Sequence, residues 1–356
     1  MTPDQVEENR TIKWQKAAIR SRRRRHWKLA ALTIFLSVVS IPILLAYLWM
    51  ITIAFTAKTG GVETATLWIA ASILTPTLII YAVIHNIEDL PNKRRWGWGL
   101  IGVGFAIGVV LLWDEFHLGN FRFMINPNLV EDIRGVATAG GQFPWVWEAF
   151  FNSLFLASVQ TVIVVTVSSF AGYYLSRFAF TGRSLFLQSL LVLQAFPAIT
   201  LVIPIFLIVY WVGLVNTIYA PILVITALEL PFFIFIMKGF FDAVPWDIEM
   251  SAMTDGASRR QAFRMVILPQ VRVGLIAVGV FAFIKGWEEY VFVTGLTTGQ
   301  SYTVMSTYLY YVSEDVMGVD YGIVADVAVL YLLPALLLYL ACQKYLTQMT
   351  LGGVKG

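Results

Sequence analysis

An all-α membrane protein of about eight transmembrane helices is the fold class predicted by these 356 residues, and three observations carry that reading. Hydrophobic residues fill 58% of the chain and charged ones 13%, about half the charged share of a soluble domain. Apolar runs of the roughly 20 residues needed to cross a bilayer recur at 28–55, 64–86, 97–114, 149–176, 184–213, 217–237, 271–297 and 320–343. Lys and Arg stay on the cytoplasmic side of a membrane, and threading the runs in turn from an inside N-terminus puts 21 of the 25 there. Removing any one span would carry a basic loop to the wrong side. Both termini are therefore expected in the cytoplasm.

Residues 1–27 form a basic tail that includes "RSRRRRHW". Such a cluster next to a span is a topogenic anchor for anionic lipid headgroups rather than a nucleic-acid patch. The first apolar run is too long for a signal-peptide core and is expected to be retained. Three spans occupy 28–114, the third being short and ending in Trp113-Asp114-Glu115. A Gly-, Pro- and Asn-bearing loop, 115–148, follows on the outside. Five spans at 149–343 make a second group, and a tail, 344–356, closes the chain. The single cysteine, Cys342, excludes an internal disulfide framework.

The longest inward loop, 238–272, is unusual because its polar residues are interrupted by turn signals. Asp247, after Pro245 and Trp246, is read as the N-cap of a short helix through Ala252 and Met253. Thr254-Asp255-Gly256 breaks that helix, since glycine tolerates the left-handed backbone of a sharp turn. Ser258, with Gln261 three residues on, predicts a capping box for a second helix. That helix would place Ala262, Met265 and Val266 on one face and Arg259, Arg260 and Arg264 elsewhere, and Pro269 would stop it. On pattern alone this is either a rigid docking knob or an amphipathic loop lying on headgroups.

The residues of the loop, "EMSAMTDGAS" followed by "VILP", resemble the coupling loop of permease subunits of binding-protein-dependent ABC importers. That motif runs Glu-Ala-Ala, two residues, Asp-Gly, and later Ile/Val-x-Leu-Pro. Ala252, Asp255, Gly256, Ala257, Leu268 and Pro269 fall in register; Met250 stands at the glutamate position and Glu249 one residue earlier. "NSL" at 152–154, "FPAI" at 196–199, Asn216-Thr217 and "KGFFDAVP" at 238–245 are similar to the same family. The ending "QKYLTQMTLGGVKG" is similar to MalG-type carbohydrate permeases.

The resemblance covers about 145–356 and implies the type I importer permease fold, with two of the first three spans as an insertion. It implies a multi-pass subunit of a bacterial or archaeal cytoplasmic membrane that imports a di- or oligosaccharide, for which an α-glucoside is one candidate. It also implies a second homologous permease, two ATPase subunits and a periplasmic or lipid-anchored sugar-binding protein as partners. ATP and Mg would belong to the ATPase, with no cofactor on this chain. Docking is expected at Glu249, Ala252, Asp255, Gly256, Ala257, Phe263, Leu268 and Pro269, with a tail contact at Gly352, Gly353 and Lys355. The residues themselves agree that the chain is not an enzyme: it has no G-x-x-x-x-G-K-[ST] phosphate loop, and His26, His85 and His117 are scattered.

Polar groups inside spans are costly and mark either a path or a bridge between helices. Asn152, Gln160, Gln194, Glu229, Trp287, Glu288, Tyr290 and Asp326 are the candidates for a translocation path. Each has a structural alternative; Glu229, before Pro231, is also placed to satisfy backbone freed by the proline. Two other functions remain open at this stage: a permease for a polyamine or glycerol phosphate, and a stand-alone secondary transporter, which would show inverted repeats that are absent here.

Overall fold

The computed structural model describes residues 28, 31–32, 34–36, 38–56, 64–86, 92–113, 116–125, 145–297, 302–313 and 321–352. The expected N-terminal tail and most of the 115–148 loop lie outside them. Regular structure among these residues is helical, apart from one isolated bridge between Thr56 and Phe116.

Residues 1–121 with 320–326 form one compact unit, and 122–319 with 327–356 form another. The first unit holds α1 (Ile34–Ala54), α2 (Thr64–Asn86) and α3 (Lys93–Leu112). α3 packs on α2, with Gly97 beneath the Tyr81 ring and Gly104 against Thr77. A short link ties the end of α1 to 116–121: the His117 N–H donates to the Phe55 carbonyl at 2.7 Å, and Phe55 stacks on Phe116.

The second unit is built around α4 (Val146–Arg177). After it come α5 (Arg183–Leu193), a 3-10 turn (Ala198–Leu201), α6 (Val202–Val212) and α7 (Tyr219–Asp242). Two short helices, α8 (Trp246–Thr254) and α9 (Arg259–Gln270), lead into α10 (Arg272–Trp287). The chain then forms α11 (Val291–Leu296), α12 (Met305–Ser313) and α13 (Tyr321–Gly352). α4 packs against α7 and α10, which also touch each other. Its two ends anchor separate cores. Leu156 meets Val209, Ile222, Phe292 and Leu296; Val164 and Tyr173 meet Phe233, Met237, Phe241, Ile267 and Val278.

Four helices among the described residues are long and apolar enough to span a membrane: α1, α4, α7 and Tyr321–Tyr345 of α13. The count rises to six when each of two bent pairs is taken as one span. Helices do form at 64–86 and 93–112, although the apolar part of α2 is the shorter Trp68–Tyr81. Two of the eight apolar runs of the sequence reading are bent or broken within. The run at 184–213 bends by 92° between α5 and α6, where Pro197 takes an extended backbone. The run at 271–297 is cut at Glu288–Tyr290, where the Glu289 carboxylate accepts the Phe292 N–H at 2.8 Å and caps α11. Hydropathy averages over such breaks and does not sense them. α13 also continues past the expected end at 343, as far as Gly352.

α4 and α7 approach closely at Gly172, where a Cβ would lie 2.8 Å from the Lys238 backbone nitrogen. Gly172→Ala is expected to cost about 1–3 kcal/mol through overpacking. Gly239→Ala, on α7 with open space around it, should stabilise by about 1 kcal/mol through helix propensity. Thermal unfolding of the two purified variants in detergent checks this, and shifts of the same sign would contradict the packing argument.

Candidate functional site

Two places deserve the description of a site: the loop between α7 and α10, and the set of polar residues within the spans.

The loop starts where α7 ends at Asp242. Pro245 (φ −56°) is the N-cap of α8, so the helix begins at Trp246, one residue before the expected Asp247 cap. Asp247 lies in the first turn instead, where a carboxylate faces the positive end of the helix dipole. α8 closes at Asp255 with Gly256 at φ +94°. The Ala257 N–H donates to the Ala252 carbonyl and the Gly256 N–H to the Met253 carbonyl, both at 3.1 Å. These two bonds make a Schellman ending, which is why glycine stands there.

Ser258 then caps α9 as expected. The Gln261 N–H donates to Ser258 Oγ at 3.4 Å, and the Ser258 N–H donates to Gln261 Oε1 at 2.8 Å. Pro269 does not stop this helix. Residues Ala262–Ile267 form a π turn and the helix runs on to Gln270 before bending by 73° into α10. Pro269 has no N–H to offer the Met265 carbonyl, and a π turn is one way to absorb the lost bond. The inserted residue also rotates the helix faces. Ala262 and Ile267 are buried, whereas Met265, expected on the same face as Ala262, is 73% exposed.

The expected docking residues separate accordingly. Asp255, Gly256 and Pro269 are exposed, and Ala252, Ala257 and Leu268 are partly so. Glu249 is 1% exposed and faces inward. Its carboxylate accepts the Tyr173 hydroxyl at 2.5 Å and pairs with Arg177 Nε at 3.1 Å. Phe263 is also turned in, its ring 4.5 Å from that of Tyr173 and 5.7 Å from that of Phe170. Glu249 is thus enclosed by its own chain, and Phe263 is half-buried. Trp246 and Met250 are exposed on α8, and Met265, Arg259, Arg260 and Arg264 are exposed on α9. Gly352 ends α13; Gly353 and Lys355 lie outside the described residues.

The polar residues of the spans also divide. Asn152 donates to the Thr303 carbonyl at 3.0 Å, and Ser153 beside it accepts the Met305 N–H, so this pair holds the start of α12. Gln160 is fully buried against Gly286, and Asp326 is fully buried on α13. Trp287 is buried between the rings of Phe150, Phe283 and Tyr331. Its indole N–H donates to the Tyr331 carbonyl at 3.0 Å, three residues before Pro334. Gln194 does the same on α7: its amide donates to the Leu228 carbonyl at 2.9 Å, three residues before Pro231. A proline strips the carbonyl four residues before it of its donor, here those of Leu330 and Ala227; the two side chains bond the next carbonyl along in each case. Gln194 thus reaches the α7 backbone beside the proline, at the residue before Glu229. Gln194 and Glu288 are exposed and Glu229 and Tyr290 half-buried. Tyr290 lies 5.1 Å from Tyr310, a neighbour the sequence did not suggest. Among the described residues no cluster of His, Cys, Asp or Glu could hold a metal.

Residues 164–350 match the family described as binding-protein-dependent transport system inner membrane component. The chain belongs to that family. The permease is 32% identical over 210 residues to the trehalose transport system permease protein SugB of Mycobacterium tuberculosis, covering 58% of this chain and 77% of that protein. It is 32% identical over 207 residues to the trehalose/maltose transport system permease protein MalG of Thermococcus litoralis (58% and 74%). The diacetylchitobiose uptake system permease protein NgcG of Streptomyces coelicolor is 33% identical over 196 residues, 55% of this chain and 65% of that protein. A bacterial ABC transporter that imports the polysaccharide alginate shares the fold at a TM-score of 0.51 and 18% identity, covering 72% of this chain and 98% of that one.

The permease is thus a multi-pass transport subunit of the cytoplasmic membrane, and the stand-alone transporter is set aside. The family match begins at Val164 and so does not reach α1–α3.

Trp287→Ala is expected to destabilise the permease by about 3–5 kcal/mol, the cost of emptying a buried aromatic site. Glu288→Gln, at an exposed position, should shift stability by about 0.5 kcal/mol or less. Denaturation midpoints measure both, and equal effects would show that Trp287 is not a packing residue.

Proposed function

We propose that the permease forms half of the translocation path of an ATP-driven sugar importer and docks an ATPase through the loop at 245–269. The Schellman turn at Gly256 carries this reading, because it fixes two short helices into a rigid knob at the end of the bundle. Exposed Met250 and Met265 form its apolar tip, and Arg259, Arg260 and Arg264 form a basic collar. Such a tip fits an apolar socket with an acidic rim. Ala252, Asp255, Gly256, Ala257, Leu268 and Pro269 shape the knob, while Glu249 and Phe263 support it from within.

The relatives' substrates support a di- or oligosaccharide: trehalose, trehalose/maltose and diacetylchitobiose all appear in their names. The family's dependence on a binding protein supports delivery by a sugar-binding protein on the outer side. A second, homologous permease would complete the path, two ATPase subunits would supply ATP and Mg chemistry, and the tail at Gly352, Gly353 and Lys355 would contact them. Gln194, Glu229, Glu288 and Tyr290 are the residues we assign to the path. Exposed or half-exposed polar groups in an apolar body must face water or a partner rather than lipid.

Gly256→Val should leave the permease in the membrane but abolish uptake and weaken ATPase co-purification. A side chain in the left-handed region costs about 1–2 kcal/mol and would swing α9 away from its socket. Gln261→Glu preserves the capping box and should transport normally. Wild-type uptake by Gly256→Val would sink the docking role.

The loop is expected on the cytoplasmic side and the end of α12 on the outside. In a Cys342→Ser background, Ser313→Cys should react with an impermeant maleimide in intact spheroplasts. Ser258→Cys should react only after lysis. Labelling of Ser258→Cys from outside would invert the topology.

A further inference from the structure

The loop's buried acid has a use that a docking surface does not require. Tyr173 and Arg177 stand one turn apart on the last two turns of α4, on one face of the helix. Both hold α8. Tyr173 donates its hydroxyl to Glu249 at 2.5 Å, and Arg177 Nε pairs with the same carboxylate at 3.1 Å. The Arg177 guanidinium also donates to the Val244 carbonyl at 2.9 Å, just before the helix begins, and lies 5.3 Å from the centre of the Trp246 ring. One arginine thus grips α8 at its entry, its first residue and its first turn. The Tyr173 ring closes the arrangement, packing on Phe241 of α7 and Phe263 of α9. Arg259 of α9 lies over Phe178, the residue that follows α4, at 4.8 Å.

We propose that Glu249, Tyr173 and Arg177 form a latch that makes the loop and α4 one mechanical body. Glu249 is then a positioning residue that works within its own chain. A push on the knob reaches α4 directly, and through α4 it reaches α7 and α10. Two features favour this over a partner contact for Glu249. Its carboxylate is 1% exposed, and both of its oxygens face groups of α4. A buried carboxylate left without its cation is strongly unfavourable, so the pair is expected to stay closed while the loop moves.

The mechanical role rests on the docking reading above, whereas the latch itself can be tested without a partner. The first arm is hydrogen exchange on the full permease in detergent. Glu249→Gln and Arg177→Gln should each speed exchange of the α8 amides, 246–254, while the amides of α7 stay protected. Unchanged α8 exchange would overturn the latch. Should either variant fail to insert, Tyr173→Phe removes a single hydroxyl and carries the same test.

The second arm uses the complete importer in proteoliposomes. The single variants should still co-purify with the ATPase and hydrolyse ATP, but sugar moved per ATP should fall about tenfold. That decade is within the coupling measured for contacting charges. The exchanged pair, Glu249→Arg with Arg177→Glu, should recover part of the loss. Intact sugar-per-ATP in the single variants would overturn the latch, and so would loss of ATPase co-purification with insertion unharmed, since Glu249 would then be acting on the partner. If the unaltered chain bound no ATPase, the docking reading would fall, and the exchange arm would still decide the latch.

Discussion

A helix of 32 residues is about 48 Å long, against a hydrocarbon core of about 30 Å, and α4 has that length. Its excess sets most of the second unit. α4 meets α7 and α10 at small residues, Gly172 against the α7 backbone and Ala157 against Gly286. The last two turns of α4 carry Tyr173 and Arg177. There they meet the loop between α7 and α10. Shortening α4 by two turns would leave Glu249 with neither partner and α8 without its anchor. The length of one helix and the position of the loop are therefore the same constraint.

Within the apolar slab a different constraint governs: no backbone carbonyl can go without a donor. Pro231 and Pro334 each remove an N–H from a long helix. In both helices the carbonyl next to the one deprived of its donor takes a side-chain donor from another element, Gln194 in one case and Trp287 in the other. The break at Glu288–Tyr290 is handled similarly, with Glu289 accepting the Phe292 N–H and the Ser306 hydroxyl donating to the Glu289 carbonyl at 2.6 Å. Irregular backbone is thus tied down by polar side chains from the residues around it. This explains why so many of these lie in an otherwise oily chain.

What could be read from the sequence follows from the range of the interactions involved. Helix endings are decided within a few residues, so the turn at Gly256 and the capping box of Ser258 and Gln261 were legible. The N-cap was misplaced by two residues, Asp247 for Pro245, and the π turn before Pro269 separated Met265 from the face of Ala262. The continuous spans at 184–213 and 271–297 were misread because an average over apolar residues does not register Pro197 or the paired acids 288 and 289. The partners of Glu249 were out of reach, since Tyr173 lies 76 residues earlier in the chain.

The same limit applies to the polar residues of the spans, and the way they sort has a physical cause. Sequence marks a polar group as expensive without saying what offsets the cost. Once the helices are assembled, Trp287 and Asn152 are accounted for by backbone carbonyls. Glu249 is accounted for by Tyr173 and Arg177. Glu288 has no comparable burial: it is exposed on the apolar body beside the end of α10. Lipid would penalise that carboxylate by a few kcal/mol, so its surroundings must be water or another protein. Burial alone therefore does not give a polar residue one task here: Trp287 and Asn152 hold backbone carbonyls, Glu249 holds two side chains of α4, and Gln160 packs on Gly286. In the reading proposed above, the surroundings of Glu288 are the transport path.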